Sequence, residues 1–142
     1  MTMLSQLLDA KGSNVHSVSP GASVLDAIRL MAEQHVGALV VLDGERLAGI
    51  ISERDYARKV VLLGRSSTHT PVRDIMSSPV VTVAASQTVD DAMRLMTERR
   101  IRHLPVVREG RMVGIVSIGD LVKSVIEDQR HTIEDLKNYI AG

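Results

Sequence analysis

Apolar and polar positions along this chain fall into blocks that switch between helical and strand periods. Val24, Ala27, Ile28 and Met31 recur at three- and four-residue spacing, as do Val89, Ala92, Met93 and Met96, so each set lines one helix face. Ser23 and Thr88 stand just ahead with an acid three residues on, the pattern of a helix N-cap. Short β-rich runs precede them at Val15–Val18 and Val80–Val83. Two apolar runs of strand length, Ala38–Leu42 and His103–Val107, pass through the turns Asp43-Gly44-Glu45 and Arg108-Glu109-Gly110 into Arg46–Ile51 and Arg111–Val116. Each pair predicts a β-hairpin, and a second helix follows each hairpin.

These two sets are one pattern written twice. At an offset of 65 residues Val15–Val60 aligns with Val80–Val125 without a gap, and 17 of the 46 pairs are identical. That register means two copies of one supersecondary unit. Leu4, Leu7 and Leu8 match Val72, Ile75 and Met76 at a slightly different offset, so a short amphipathic helix opens each copy. Thr132–Ile140 predicts a last helix, with Ile133, Leu136, Lys137 and Ile140 along one side. The expected fold is α/β (α+β): two β-α-β-β-α repeats packed with pseudo-two-fold symmetry, plus flanking helices. The expected boundaries are 1–64 for the first repeat with its N-terminal helix, 65–79 for a linker and short helix, 80–128 for the second repeat and 129–142 for a C-terminal helix. Each copy alone exposes too much apolar surface for its size, so the two are expected to pack together.

Composition narrows the chemistry. Leu, Ile, Val and Met supply 50 of the 142 residues, enough for an aliphatic core in a chain with no Phe or Trp. Seventeen basic residues balance seventeen acidic ones, which argues against nucleic acid as the main partner. Cysteine is absent, which excludes disulfides, thiolate catalysis and cysteine metal sites and fits a reducing compartment. The five His residues are scattered without metal-ligand spacing. No basic region followed by a long apolar stretch opens the chain, and the longest apolar runs are far short of a membrane span. The expectation is a cytoplasmic protein with no membrane partner.

The motifs Gly49-Ile50-Ile51-Ser52-Glu53-Arg54-Asp55 and Gly114-Ile115-Val116-Ser117-Ile118-Gly119-Asp120, with Ile101-Arg102-His103-Leu104-Pro105-Val106-Val107, carry a family resemblance. The repeat resembles a cystathionine-β-synthase (CBS) domain, and the pair is similar to a stand-alone Bateman module over roughly residues 4–127. The resemblance implies adenine nucleotides bound in two clefts between the repeats and a regulatory, non-enzymatic role. AMP leads among the expected ligands, with ATP, ADP or NAD as alternatives. It further implies that one cleft gathers Thr82, Arg102, His103, Leu104, Pro105, Ser52, Arg54, Asp55 and Arg58. The other gathers Ser17, Gly37, Ala38, Leu39, Ser117, Asp120 and Lys123.

Elementary chemistry agrees with the implication and also offers a plainer reading. Serine at a helix start can bond a phosphate, and an aspartate one turn on can accept two hydrogen bonds from a ribose diol. The same Ser-x-x-Asp spacing is a capping box, and it recurs at Ser23–Asp26, Thr88–Asp91 and Thr132–Asp135, where nothing points to a ligand. The preceding glycine and strand, duplicated in register, favour the site. Gly37 and Ala38 stand where the second repeat has Arg102 and His103, which makes the clefts unequal. The apolar stripes Leu4/Leu7/Leu8 and Ile133/Leu136/Ile140 lie outside the repeats and predict a homodimer. An unidentified regulated protein is the other expected partner. The alternative function is a non-enzymatic interaction module with weak or no nucleotide binding.

Overall fold

The computed structural model of the protein describes residues 2–12 and 14–141. Its elements are α1 (Leu4–Lys11), β1 (Ser17–Val18), α2 (Val24–Gln34), β2 (Ala38–Asp43), β3 (Arg46–Ser52), α3 (Glu53–Tyr56), β4 (Val83–Ala84), α4 (Val89–Arg99), β5 (His103–Arg108), β6 (Arg111–Ser117) and α5 (Ile118–Ala141). A π-helical turn, Ala57–Val61, extends α3, and a 3₁₀ turn, Val72–Asp74, precedes β4. The fold is mixed α/β with two three-stranded sheets, ordered β1-β2-β3 and β4-β5-β6.

Each sheet pairs its first strand parallel and its hairpin antiparallel, in matching register: Val40 faces Ile50 in one and Pro105 faces Ile115 in the other. Pro105 therefore sits in a central strand. The aligned residue in the first sheet, Val40, donates its N–H to the His16 carbonyl at 3.3 Å. Proline has no N–H for such a bond, and β4 pairs only beyond it, at Val106 and Val107. The predicted N-caps form. Ser23 Oγ accepts from the Asp26 N–H at 3.1 Å, and Thr88 with Asp91 closes a reciprocal capping box. Val24, Ala27 and Met31 of α2, and Val89, Ala92 and Met96 of α4, are buried as their spacing requires.

Contacts divide the chain into one unit spanning Val15–Val80 and another joining Met1–Asn14 to Val81–Gly142. This corrects the grouping of the N-terminal helix with the first repeat. Leu4, Leu7 and Leu8 are buried in the core of the second repeat, with Val83, Val89, Leu104, Val116 and Leu121. Hydrogen bonds from the Leu4 and Ser5 N–H groups to the Gln87 and Ala85 carbonyls fix the start of α1 there. Reciprocally, Val72 and Ile75, ahead of the second repeat, are fully buried in the first repeat's core. Each opening segment thus completes the core of the copy it does not precede.

Two further expectations change. The stripe Leu4/Leu7/Leu8 is consumed inside its unit and is no surface for a second chain. The separate C-terminal helix is a continuation of the second repeat's own helix, since α5 runs unbroken for 24 residues. The first repeat's helix instead winds through its π turn, ends at Val61 and turns away through Gly64, at φ +67°. The aligned position in the second repeat is Gln129, which continues the helix.

Candidate functional site: two strand-to-helix junctions

Each copy of the motif builds a strand-to-helix junction. In the first, the Ser52 N–H donates to Asp55 Oδ2 at 3.0 Å, and the Asp55 N–H donates to Ser52 Oγ at 3.2 Å. In the second, the Ser117 N–H donates to Asp120 Oδ2 at 2.8 Å, and the Asp120 N–H donates to Ser117 Oγ at 3.2 Å. Both are therefore capping boxes, so the plainer reading holds as local structure. Asp55 and Asp120 are only half-buried.

The first residue of each helix ties this junction to the start of its sheet's central strand. The Glu53 N–H donates to the Gly37 carbonyl at 3.0 Å, and the Ile118 N–H donates to the Arg102 carbonyl at 2.9 Å. Ala38 lies opposite Ser52 in the ladder, and His103 opposite Ser117. One unit thus assembles Gly37, Ala38, Ser52 and Asp55, and the other assembles Arg102, His103, Ser117 and Asp120. Leu39 and Leu104 are fully buried and Pro105 is buried, so these three pack into the cores of their own units. Ser17, Arg58, Thr82, Arg102 and Lys123 are exposed, and Arg54 is half-buried and engaged.

The motif glycines have a packing role that spacing alone does not reveal. A Cβ on Gly49 would stand 2.5 Å from Met76 Sδ and 3.0 Å from the Ser77 carbonyl oxygen. On Gly114 it would stand 2.7 Å from Leu8 Cδ2. Leu8 and Met76 are the matching residues of the two exchanged segments. Each glycine is the floor on which the opening segment of the other copy rests.

Electrostatics separate the junctions. Lys59, one turn beyond Asp55, places Nζ 3.3 Å from Asp55 Oδ1 and donates to the Ile75 carbonyl at 2.9 Å. Asp120 is met from far away in sequence: Lys11, in the last turn of α1, sets Nζ 2.5 Å from Asp120 Oδ2 and donates to the Ile115 carbonyl at 2.9 Å. Sequence reading missed Lys11, because its 109-residue separation from Asp120 leaves no local signal. Burial disfavours the Asp120 charge, but the Lys11 ammonium and the Ser117 N–H outweigh it and hold the carboxyl below its ordinary range. Burial likewise lowers His103, against the pull of Asp120 and with help from Lys11 and Arg102. His103 is thus held toward its neutral form. Among the described residues no group of His, Asp or Glu has the arrangement of a metal site, and no helix is long and apolar enough to cross a membrane.

Comparison with known proteins places this geometry. The family model for the CBS domain matches twice, at residues 9–62 and 72–127. The CBS domain-containing protein CBSX3, mitochondrial, of Arabidopsis thaliana is 41% identical over 99% of this chain and 73% of its own length. The CBS domain-containing protein YhcV of Bacillus subtilis is 33% identical, covering 89% of each chain. A putative signal-transduction protein with CBS domains from Burkholderia ambifaria is 53% identical and superposes with a TM-score of 0.87 over 90% of this chain and 96% of that one. A hexameric CBS-CP12 protein from bloom-forming cyanobacteria superposes at 0.72, with 32% identity over 78% of this chain and 65% of that one. No catalytic family appears among these matches. With the family model matched twice over most of its length, the chain belongs to the CBS-domain family as a tandem pair.

Proposed function

We propose that this protein is a non-enzymatic adenine-nucleotide sensor, with AMP as the leading ligand and ADP, ATP or NAD as alternatives. The observation that carries the reading is the duplicated junction: a strand, a Ser-x-x-Asp box and a helix, each presenting a half-buried carboxylate beside the start of a central strand. Such a carboxylate suits a ribose diol, and the Arg and Lys side chains proposed as site residues suit phosphates. Signalling would follow from differential affinity, a nucleotide favouring the conformation that binds it more tightly. A cytoplasmic setting and an unidentified regulated protein complete the proposal.

Thermal unfolding with each nucleotide in turn tests it. Ligand at about 100 times its Kd adds about 2.7 kcal/mol and raises Tm by several degrees. Calorimetry then separates the junctions. Asp55→Ala is expected to abolish the tighter binding event and Asp120→Ala to spare it, because the helix that follows Ser52 carries Arg54 and Arg58 where the helix that follows Ser117 carries Gly119 and Lys123. The gap is roughly ten- to hundredfold in affinity. No Tm shift with any nucleotide at millimolar concentration overturns the reading.

The second reading, an interaction module, draws on a different observation. Val122, Ile126, Ile133, Leu136 and Ile140 of α5 are 41–83% exposed along one helix. We propose a homodimer through this stripe. Light scattering that returns a 15.5 kDa monomer at tens of micromolar protein would refute it.

A further inference from the structure

We infer that Lys11 is a built-in competitor at the second junction: it occupies the Asp120 oxygen that a ribose hydroxyl needs, so that a nucleotide binds there only by displacing it. The inference rests on the nucleotide reading above and adds a regulation of that same site.

The argument begins with lone pairs. A carboxylate oxygen accepts about two hydrogen bonds comfortably. Asp120 Oδ2 already takes the Ser117 N–H at 2.8 Å and the Lys11 ammonium at 2.5 Å. A ribose diol donating to both oxygens must evict one of these donors. The Ser117 N–H is part of the backbone turn that starts α5 and cannot leave without unwinding it. Lys11 can leave, since its side chain is 33% exposed and the Asp120 side chain 27% exposed.

The lysine is well placed to matter when it is released. Leu4, Leu7 and Leu8 anchor α1 in the second repeat's core, so the helix stays while its last turn loses two tethers, Asp120 and the Ile115 carbonyl. Gly12 follows directly, at φ +96°, a conformation glycine adopts freely. Binding at Asp120 is thereby coupled to the order of the α1 C-terminus. At the first junction Asp55 Oδ2 also takes two donors, the Ser52 N–H at 3.0 Å and the Ser52 hydroxyl at 3.1 Å, but both belong to the capping box itself, and its lysine comes from the same helix and lies nearer Oδ1, at 3.3 Å.

Calorimetry with AMP, ADP, ATP and NAD in an Asp55→Ala background isolates the second junction, comparing Lys11 with Lys11→Met and Lys11→Gln. Both substitutions are expected to tighten binding roughly three- to tenfold. Hydrogen exchange at residues 10–12 is expected to quicken when nucleotide binds the Lys11 protein, and to be fast already in Lys11→Met. Weaker binding in both variants overturns the inference, since Lys11 is then a phosphate ligand, and unchanged binding makes it a bystander. Binding by the parent protein that neither variant tightens sinks this inference alone. Failure of the parent protein and of every variant to bind any nucleotide sinks the nucleotide reading, and the competitor with it.

Discussion

Asp55 and Asp120 occupy the same place in two copies of one motif, and each is held by a lysine of different origin. Lys59 reaches Asp55 from four residues along the same helix, whereas Lys11 reaches Asp120 from an exchanged segment. Neither lysine is repeated: Lys59 aligns with Ser124, and Lys11 falls opposite Pro79 when Leu4, Leu7 and Leu8 are matched to Val72, Ile75 and Met76. Both also donate to a carbonyl, of Ile75 or Ile115. The duplication keeps the backbone geometry of the junction, the serine N–H on the aspartate and the glycine beneath, and lets the counter-charge differ. Two junctions with one scaffold and different cations are the basis of the unequal affinities proposed above.

The exchange of opening segments offers the largest effect with which to break this comparison. Leu4 is fully buried, so Leu4→Ala is expected to destabilise by about 2–5 kcal/mol in chemical denaturation. Amide shifts in the variant are expected to cluster in residues 81–142. Shifts centred on residues 15–80 would show that α1 serves the first repeat after all. The motif glycines come next. Gly49→Ala meets a backbone carbonyl as well as Met76 and is expected to cost about 1–3 kcal/mol. For Gly114→Ala the nearest atoms all belong to the Leu8 side chain rather than to backbone, and the substitution is expected to cost less. Equal losses would show that the two floors are equally rigid.

Acid offers the smallest and most selective effect. His103 has its folded value depressed below 6.5, so its contribution to stability is intact above 6.5 and is lost as pH falls from there through the folded value. Asp120 is depressed below 3.8, and its contribution is lost as pH falls from 3.8 through its own folded value. The first repeat has Ala38 where the second has His103. Mild acid is therefore expected to loosen the second junction first, seen as Tm falling below pH 6.5 in the parent and less so in His103→Gln. An identical pH profile in that variant removes His103 from the account.

Much of this architecture was legible from local pattern. The hairpins, the N-caps at Ser23 and Thr88 and both capping boxes depend on residues within a few positions of one another, which is the range over which spacing carries information. The segment exchange depends on which of two similar cores Leu4, Leu7 and Leu8 enter, and an amphipathic stripe fits either. The length of α5 was legible in principle, since neither Gly nor Pro lies between Gly119 and Gly142. The change of apolar face after Val125, where the helix leaves the core, conceals that continuity. Lys11 had no such signal, because an ion pair between an opening helix and a distant strand-to-helix junction exists only once the fold is made.

The exchanged helix also sets an order of events during synthesis. Residues 15–80 form a contiguous unit that can close its core as soon as it emerges, with Val72 and Ile75 arriving last to seal it. Helix α1 leaves the ribosome before either repeat yet finds its core only after Leu121 has been made. At about 5–20 residues per second that is a wait of roughly 5–20 seconds, during which three leucines have no partner. A nascent chain stalled within that interval displays them as a short apolar helix tethered to a folded neighbour, the kind of exposed segment that chaperones bind.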